Sequence, residues 1–196
     1  GNWSPWSVIN KVTVDTVAPT STNDLASFVR GNQTIRQTVS DNKQAVSGKL
    51  RIWKQKTDGS LDATKFFASA NVVAVDNTNV ATYSLNTATQ LYGDGNYTAK
   101  FTSRDAAGNE SVQEKVFTVD NTAPTVTVKA GAIGSVADKT FSNVSFSLYD
   151  AYKVDKYVLN GHTFDFTNNN WSDANFQNIK SKLVEGANNT LTLYDL

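Results

Sequence analysis

The chain of 196 residues has no cysteine, no methionine, three prolines and a single histidine. Without cysteine there can be no disulfide, no thiol nucleophile and no thiolate zinc site, so any fold must be held by packing and hydrogen bonds alone. The one histidine, His162, directly follows Asn160-Gly161, a turn dipeptide. A solvent-facing turn residue is expected there, in place of a general base. Excess charge of either sign is also missing. Lys plus Arg is 18 and Asp plus Glu is 18, so no net field draws the chain to nucleic acid or to an anionic membrane surface. No apolar run approaches the length of a membrane-spanning helix, and the first residues do not read as a signal peptide.

What the sequence does have is a repeat. Val14-Asp15-Thr16-Val17-Ala18-Pro19-Thr20 recurs as Val119-Asp120-Asn121-Thr122-Ala123-Pro124-Thr125, and two of the three prolines lie in it. Proline disfavours helical backbone at the residue before it, so Ala18 and Ala123 are pushed towards extended geometry. Asn189-Thr190-Leu191-Thr192-Leu193-Tyr194-Asp195 also matches the strand pattern that ends Arg104-Asp105. A repeat of this size is the size of one small sandwich domain. The expected organisation is a terminal strand of an upstream repeat or linker over 1–14, one domain over 15–119 and a shorter one over 120–196. Because the pattern calls for one more strand after 189–195, the second domain is expected to lack its last strand.

Alternation of apolar and polar residues, the mark of a half-buried strand, fills most of the chain. It runs through 33–40, 48–54, 81–85, 97–103 and 115–119, and again through 125–129, 144–149, 156–160 and 188–193. Within 48–54 the alternation puts Leu50, Ile52 and Lys54 on one face and Trp53 on the other. Asp58-Gly59 reads as a turn, and Asn160-Gly161 is the strongest hairpin signal present. A short helix is expected after Ser172, with Phe176, Ile179 and Leu183 on one face. Many short strands with turns between them predict an all-β sandwich class.

Few residues carry chemistry. Carboxylates are scattered, and no nucleophile–base pair or paired-carboxylate motif appears, so no enzyme is expected. Asp105, Asn109 and Asp120 are oxygen donors of the kind that suits Ca2+, placed where two domains would join. The competing reading is that Asp105 and Asn109 fasten a turn while Asp120 caps the linker. Trp53, Trp171 and Tyr92 are candidate stacking platforms for a glycan, against the plainer expectation that isolated aromatics cover sandwich edges.

Several segments carry a family resemblance. Asp105-Ala106-Ala107-Gly108-Asn109 followed by Val119-Asp120 and Thr122-Ala123-Pro124-Thr125 resembles the junction signature of bacterial Ig-like repeats of adhesins and secreted enzymes. Leu148-Tyr149-Asp150-Ala151, Leu159-Asn160-Gly161 and Glu185-Gly186-Ala187-Asn188-Asn189-Thr190-Leu191 are similar to an Ig-like module of actinobacterial surface proteins and glycosidases. Gly93-x-Gly95-x-Tyr97 resembles the corner at which such sandwiches enter a late strand. The resemblance implies tandem Ig-like or fibronectin type III-like sandwiches in an extracellular or cell-wall-associated protein. It implies a non-catalytic structural role, with neighbouring domains of the same polypeptide as partners, and a glycan-binding or adhesive role as the alternative.

Overall fold

The computed structural model describes residues 13–129, 145–152, 154–165, 181, 182, 184, 187 and 189–195. It divides into two compact units, Gly1–Val119 and Asp120–Leu196, and the described residues of both lie mostly in strands.

In the first unit the strands are β1 (Thr20–Asn23), β2 (Phe28–Val29), β3 (Asn32–Gln55), β4 (Leu61–Asn86), β5 (Gly95–Asp105) and β6 (Glu110–Val119). The antiparallel order is β1-β3-β5-β6, with β4 beside β3 and the short β2 running parallel to β6. Strands β3 and β4 are far longer than the usual strand of about 5–6 residues, and each works as two. The first half of β3 pairs with β1 (Thr20↔Ser40) and with the end of β4 (Ile35↔Tyr83). Its second half pairs with β5 (Leu50↔Phe101) and the start of β4 (Trp53↔Phe66). Register irregularities between Ser40 and Ser47 mark the change of partner. Such bulges bend a strand and increase its twist.

The bend doubles the sheet over on itself, and the core lies between the two halves. Ile35 from one half joins Leu50 and Ile52 from the other, with Ala81, Tyr83, Leu85, Tyr97, Ala99, Phe101, Phe117 and Val119 in one buried cluster. These are the period-2 positions of each strand, and full burial of each large apolar side chain stabilises by about 1.5–3 kcal/mol. Polar residues also occupy inward positions, and Gln37, like Ser103, is buried without exposure. Its Nε2 donates to Ser103 Oγ (2.9 Å), and its Oε1 accepts from the Tyr83 hydroxyl (2.7 Å). The amide therefore ties the two halves together, with its polar atoms satisfied as burial demands. Gly48 lies over this spot. A Cβ there would come within 2.7 Å of Ala81 Cβ, Gln37 Oε1 and Tyr83 Oη, so the halves approach as closely as they do only because that side chain is absent. Burial also pushes the Tyr83 phenol up, which keeps it protonated as the donor.

The turns follow their residues. Gly59 has φ 81° in the turn closed by Lys56 N–H to the Ser60 carbonyl (2.8 Å). Tyr97 sends its hydroxyl to the Gly93 carbonyl (2.6 Å) and accepts from Tyr92 N–H (3.0 Å), so the tyrosine ties down the loop that leads into β5. Lys54, on the inward parity of β3, reaches the Tyr92 and Asp94 carbonyls with Nζ (2.6 and 2.8 Å). Three short elements escaped the sequence reading: strands β1 and β2 and helix α1 (Thr87–Gln90), the last capped by Asn86 Oδ1 on Ala88 N and Thr89 N. Four residues make too short a periodic signal to see.

In the second unit, β7 (Thr125–Lys129) pairs antiparallel with β8 (Ser145–Tyr149). Strand β9 (Val154–Leu159) lies between β10 (His162–Asp165) and β11 (Leu191–Asp195). Asn160 (φ 49°) and Gly161 (φ 83°) form the β9–β10 turn, a left-handed pair that suits a two-residue hairpin. Asn160 does more than turn: its Nδ2 donates to Asn189 Oδ1 (2.7 Å) and its Oδ1 accepts from Thr190 N–H (3.0 Å). Val154, Tyr157 and Leu159 are buried along β9, and Tyr157 stacks on Phe164 at 5.0 Å. The helix expected after Ser172 and the strand expected in 1–14 fall outside the described residues. Among those residues, no helix is long and apolar enough to cross a membrane.

Candidate functional sites

Asp105 closes β5 and begins the four-residue passage to β6. Its Oδ1 accepts from Gly108 N–H (2.7 Å) and Asn109 N–H (2.8 Å), and its Oδ2 accepts from Asn109 Nδ2 (2.8 Å). Gly108 (φ 98°) supplies the backbone conformation the turn needs. The residue is buried, and that burial raises its carboxyl pKa. The Asn109 amide and the N–H groups of Asn109, Gly108 and Ala107 outweigh burial and hold the group below the usual carboxylate range. Asn109 Nδ2 also reaches the Asp15 carbonyl at 3.1 Å. Asn109 is thus a fastener between this turn and the entry segment, with its amide N–H group engaged as a donor.

The sequence grouping of Asp105, Asn109 and Asp120 is replaced by two others. Strand β5 runs antiparallel to β6 with Gly95 opposite Val119, so Asp120, next after Val119, begins at the far end of β5 from Asp105. Ten residues of strand are roughly 33 Å. Asp105 instead gathers with Asp15 and Asp41, one carboxylate oxygen of each lying within 4.8 Å of the others. Asp120 gathers in the same way with Asp150 and Asp195, inside the second unit.

The two trios occupy the same places in their units. Asp15 precedes β1 by five residues and Asp120 precedes β7 by five. Asp41 follows Ser40, which pairs with Thr20, and Asp150 follows Tyr149, which pairs with Thr125. Asp105 lies opposite Ala45, four residues after Asp41; Asp195 lies opposite Val154, four residues after Asp150. Local fastening is shared as well. Asp15 Oδ1 accepts from Val17 N–H (3.1 Å) and Asp120 Oδ1 from Thr122 N–H (3.1 Å), each two residues on. Asp41 Oδ2 accepts from Lys43 N–H (2.7 Å), and Asp150 Oδ1 from Tyr152 N–H (2.7 Å). Sequence reasoning saw Asp15 as part of a motif and Asp105 and Asp120 as ligands, but missed Asp41, Asp150 and Asp195. The available signal was the strand-ending aspartate in Thr38-Val39-Ser40-Asp41 and in Ser147-Leu148-Tyr149-Asp150.

Three carboxylates this close repel one another unless something neutralises them. Among the described residues, the ion pairs are Arg36–Asp24, Lys65–Asp62 and Lys100–Glu114, so no lysine or arginine pairs with Asp15, Asp41 or Asp105.

The aromatic candidates lie elsewhere. Trp53 faces away from Leu50 and Ile52, half-buried, and stacks on Phe66 at 6.2 Å. Lys100 Nζ stands 5.8 Å from the Trp53 ring centre while also bridging to Glu114 at 2.7 Å. Both contacts lie against the indole ring. Tyr92 is 45% exposed and its hydroxyl reaches the Phe66 carbonyl at 3.5 Å. Trp171 lies outside the described residues. His162 is exposed beside the Asn160-Gly161 turn.

No family model matches this chain, and no curated protein matches it in sequence.

Proposed function

We propose that the chain is a tandem pair of Ig-like, fibronectin type III-like sandwich repeats that space and present a neighbouring domain of the same polypeptide, without catalysis of their own. The setting is an extracellular or cell-wall-associated bacterial protein. One observation carries the reading: the connection between the units is short, proline-bearing and fastened. Strand β6 ends at Val119 and β7 starts at Thr125. The intervening Asp120–Pro124 contains one proline and an aspartate whose carboxylate accepts from Thr122 N–H. A segment of that kind has few freely rotating bonds, in contrast to a Gly/Ser linker, and suits a part that sets distance. The resemblance in 97–125 and 145–195, the doubled-over sheet and the tyrosine at the start of β5 support the Ig-like reading.

The test replaces Asp120–Pro124 by a Gly/Ser segment of equal length and measures the distance distribution between spin labels on β5 and β9 by pulsed electron resonance. A narrow distribution in the native chain that broadens in the variant is expected. Equal breadth in both would overturn the spacer reading. Binding of the native chain to a glycan array would replace it with the adhesive alternative, to which exposed Tyr92 and Phe66 give the described surface.

A further inference from the structure

We infer that each unit carries its own divalent-cation site, Asp15–Asp41–Asp105 in the first and Asp120–Asp150–Asp195 in the second, and that the ion is Ca2+. The first site rests on two separate observations. Its three carboxylates converge within 4.8 Å, and Oδ1 of Asp41 is buried with no hydrogen-bond partner. The other oxygen of Asp41 is committed to Lys43 N–H and Gln44 N–H at 2.7 and 3.1 Å. A buried, charged oxygen without a donor is costly, and a native structure seldom leaves one unless an ion or water belongs there. Asn109 Nδ2, the side-chain donor nearest in this network, is spent on Asp105 Oδ2 and on the Asp15 and Val17 carbonyls.

The second site adds the argument of duplication. The three aspartates come from an entry segment, the position just after the residue that pairs with the start of the first strand, and the end of a later strand. These places are separated by different lengths of chain in the two units: Asp15 to Asp41 is 26 positions and Asp120 to Asp150 is 30, while Asp41 to Asp105 is 64 and Asp150 to Asp195 is 45. Two folds of different loop length nevertheless bring the same three carboxylates to one spot. Turn stabilisation asks only for each aspartate to face its own backbone; it does not ask three of them to face one another.

The donor chemistry selects the ion. All side-chain donors are carboxylate oxygens, with no imidazole or thiolate, which favours a hard cation over zinc or copper. The groups come from three separated stretches of chain, and Ca2+ accepts such irregular oxygen cages more readily than Mg2+, which demands near-ideal octahedral geometry. An ion held there would link the entry segment of each unit to two later stretches of the same unit. This inference is independent of what the pair of units spaces.

Isothermal titration of the metal-free full chain with CaCl2 reads the stoichiometry directly. Two ions per chain are expected for the native protein and one for each of Asp41→Asn and Asp195→Asn, with the thermal midpoint of the native chain rising by several degrees in Ca2+. Asp41→Asn keeps an oxygen for Lys43 and Gln44, so its fold, checked by circular dichroism in metal-free buffer, stays native. Absence of binding at millimolar Ca2+ would overturn the inference, and so would an unchanged stoichiometry in folded Asp41→Asn. Equal binding of Mg2+ at the same concentration would overturn the assignment of Ca2+.

Discussion

The end of β5 in the first unit and β11 in the second are register-equivalent strands in different surroundings. Asp105 and Asp195 hold the same place, and counting back from them sets Phe101 beside Leu191 and Ser103 beside Leu193. Phe101 and Ser103 are fully buried, whereas Leu191 and Leu193 are only half-buried. The two strands also differ in their neighbours. Strand β5 is flanked by β3 and β6, while β11 has β9 on one side among the described residues. Pairing on both sides is not required for burial, since Ala81, Tyr83 and Leu85 are buried on β4, which pairs with β3 alone; the core packed over β5 makes the same inward position stabilise the first unit more.

That contrast can be broken most strongly at its centre. Phe101→Ala is expected to cost the first unit about 3–5 kcal/mol, against roughly 1 kcal/mol for Leu191→Ala in the second. Hydrogen exchange of amides in β3 and β9 reads the two units separately, and equal losses would show that the two strands are not inequivalent in burial.

A smaller effect probes the closeness of the two halves of the first unit. Gly48→Ala forces Ala81, Gln37 or Tyr83 to move and is expected to destabilise by about 1–3 kcal/mol. The second unit should keep its native exchange rates. A neutral result in denaturant unfolding would mean the halves can separate without loss.

The smallest effect concerns the turns. In the first unit Asp58 accepts from the Ser60 hydroxyl (2.6 Å) and Ser60 N–H (2.9 Å). Those two bonds, hydroxyl first, hold its carboxyl below the usual range. A carboxylate depressed in the folded state contributes stability that is fully present above its unfolded pKa, about 3.9, and lost as pH falls through the folded value. The corresponding hairpin in the second unit relies on the neutral Asn160 amide and has no such dependence. Ser60→Ala should therefore move the Asp58 titration, followed by carboxyl NMR, back towards the ordinary value while leaving the Asn160 turn unchanged. No movement would show that the hydroxyl does not set it.

Strand positions, the Asp58-Gly59 and Asn160-Gly161 turns and the inward face of Leu50 and Ile52 were legible because each rests on residues two to four positions apart. Helix α1 was too short to announce itself, and the bend of β3 left no proline or glycine cluster to mark it. The candidate ion sites were half legible. Asp105 and the repeated Asp15 and Asp120 stood out, but Asp41, Asp150 and Asp195 looked like ordinary strand-ending residues, and the first grouping assumed that Asp105 and Asp120 meet at the joint between domains, whereas strand register sets them at opposite ends of β5.

The sequence by itself determined that this chain is β-rich, that it repeats, and that cysteine chemistry plays no part in it. Alternation and turn residues act over a few bonds, so they can be read one stretch at a time. Only the tertiary structure decided which aspartates meet, that Gln37 belongs in the core, and that Gly48 has to be small. Each of those depends on strand register and on the folding of one sheet over itself, which bring together atoms dozens of residues apart.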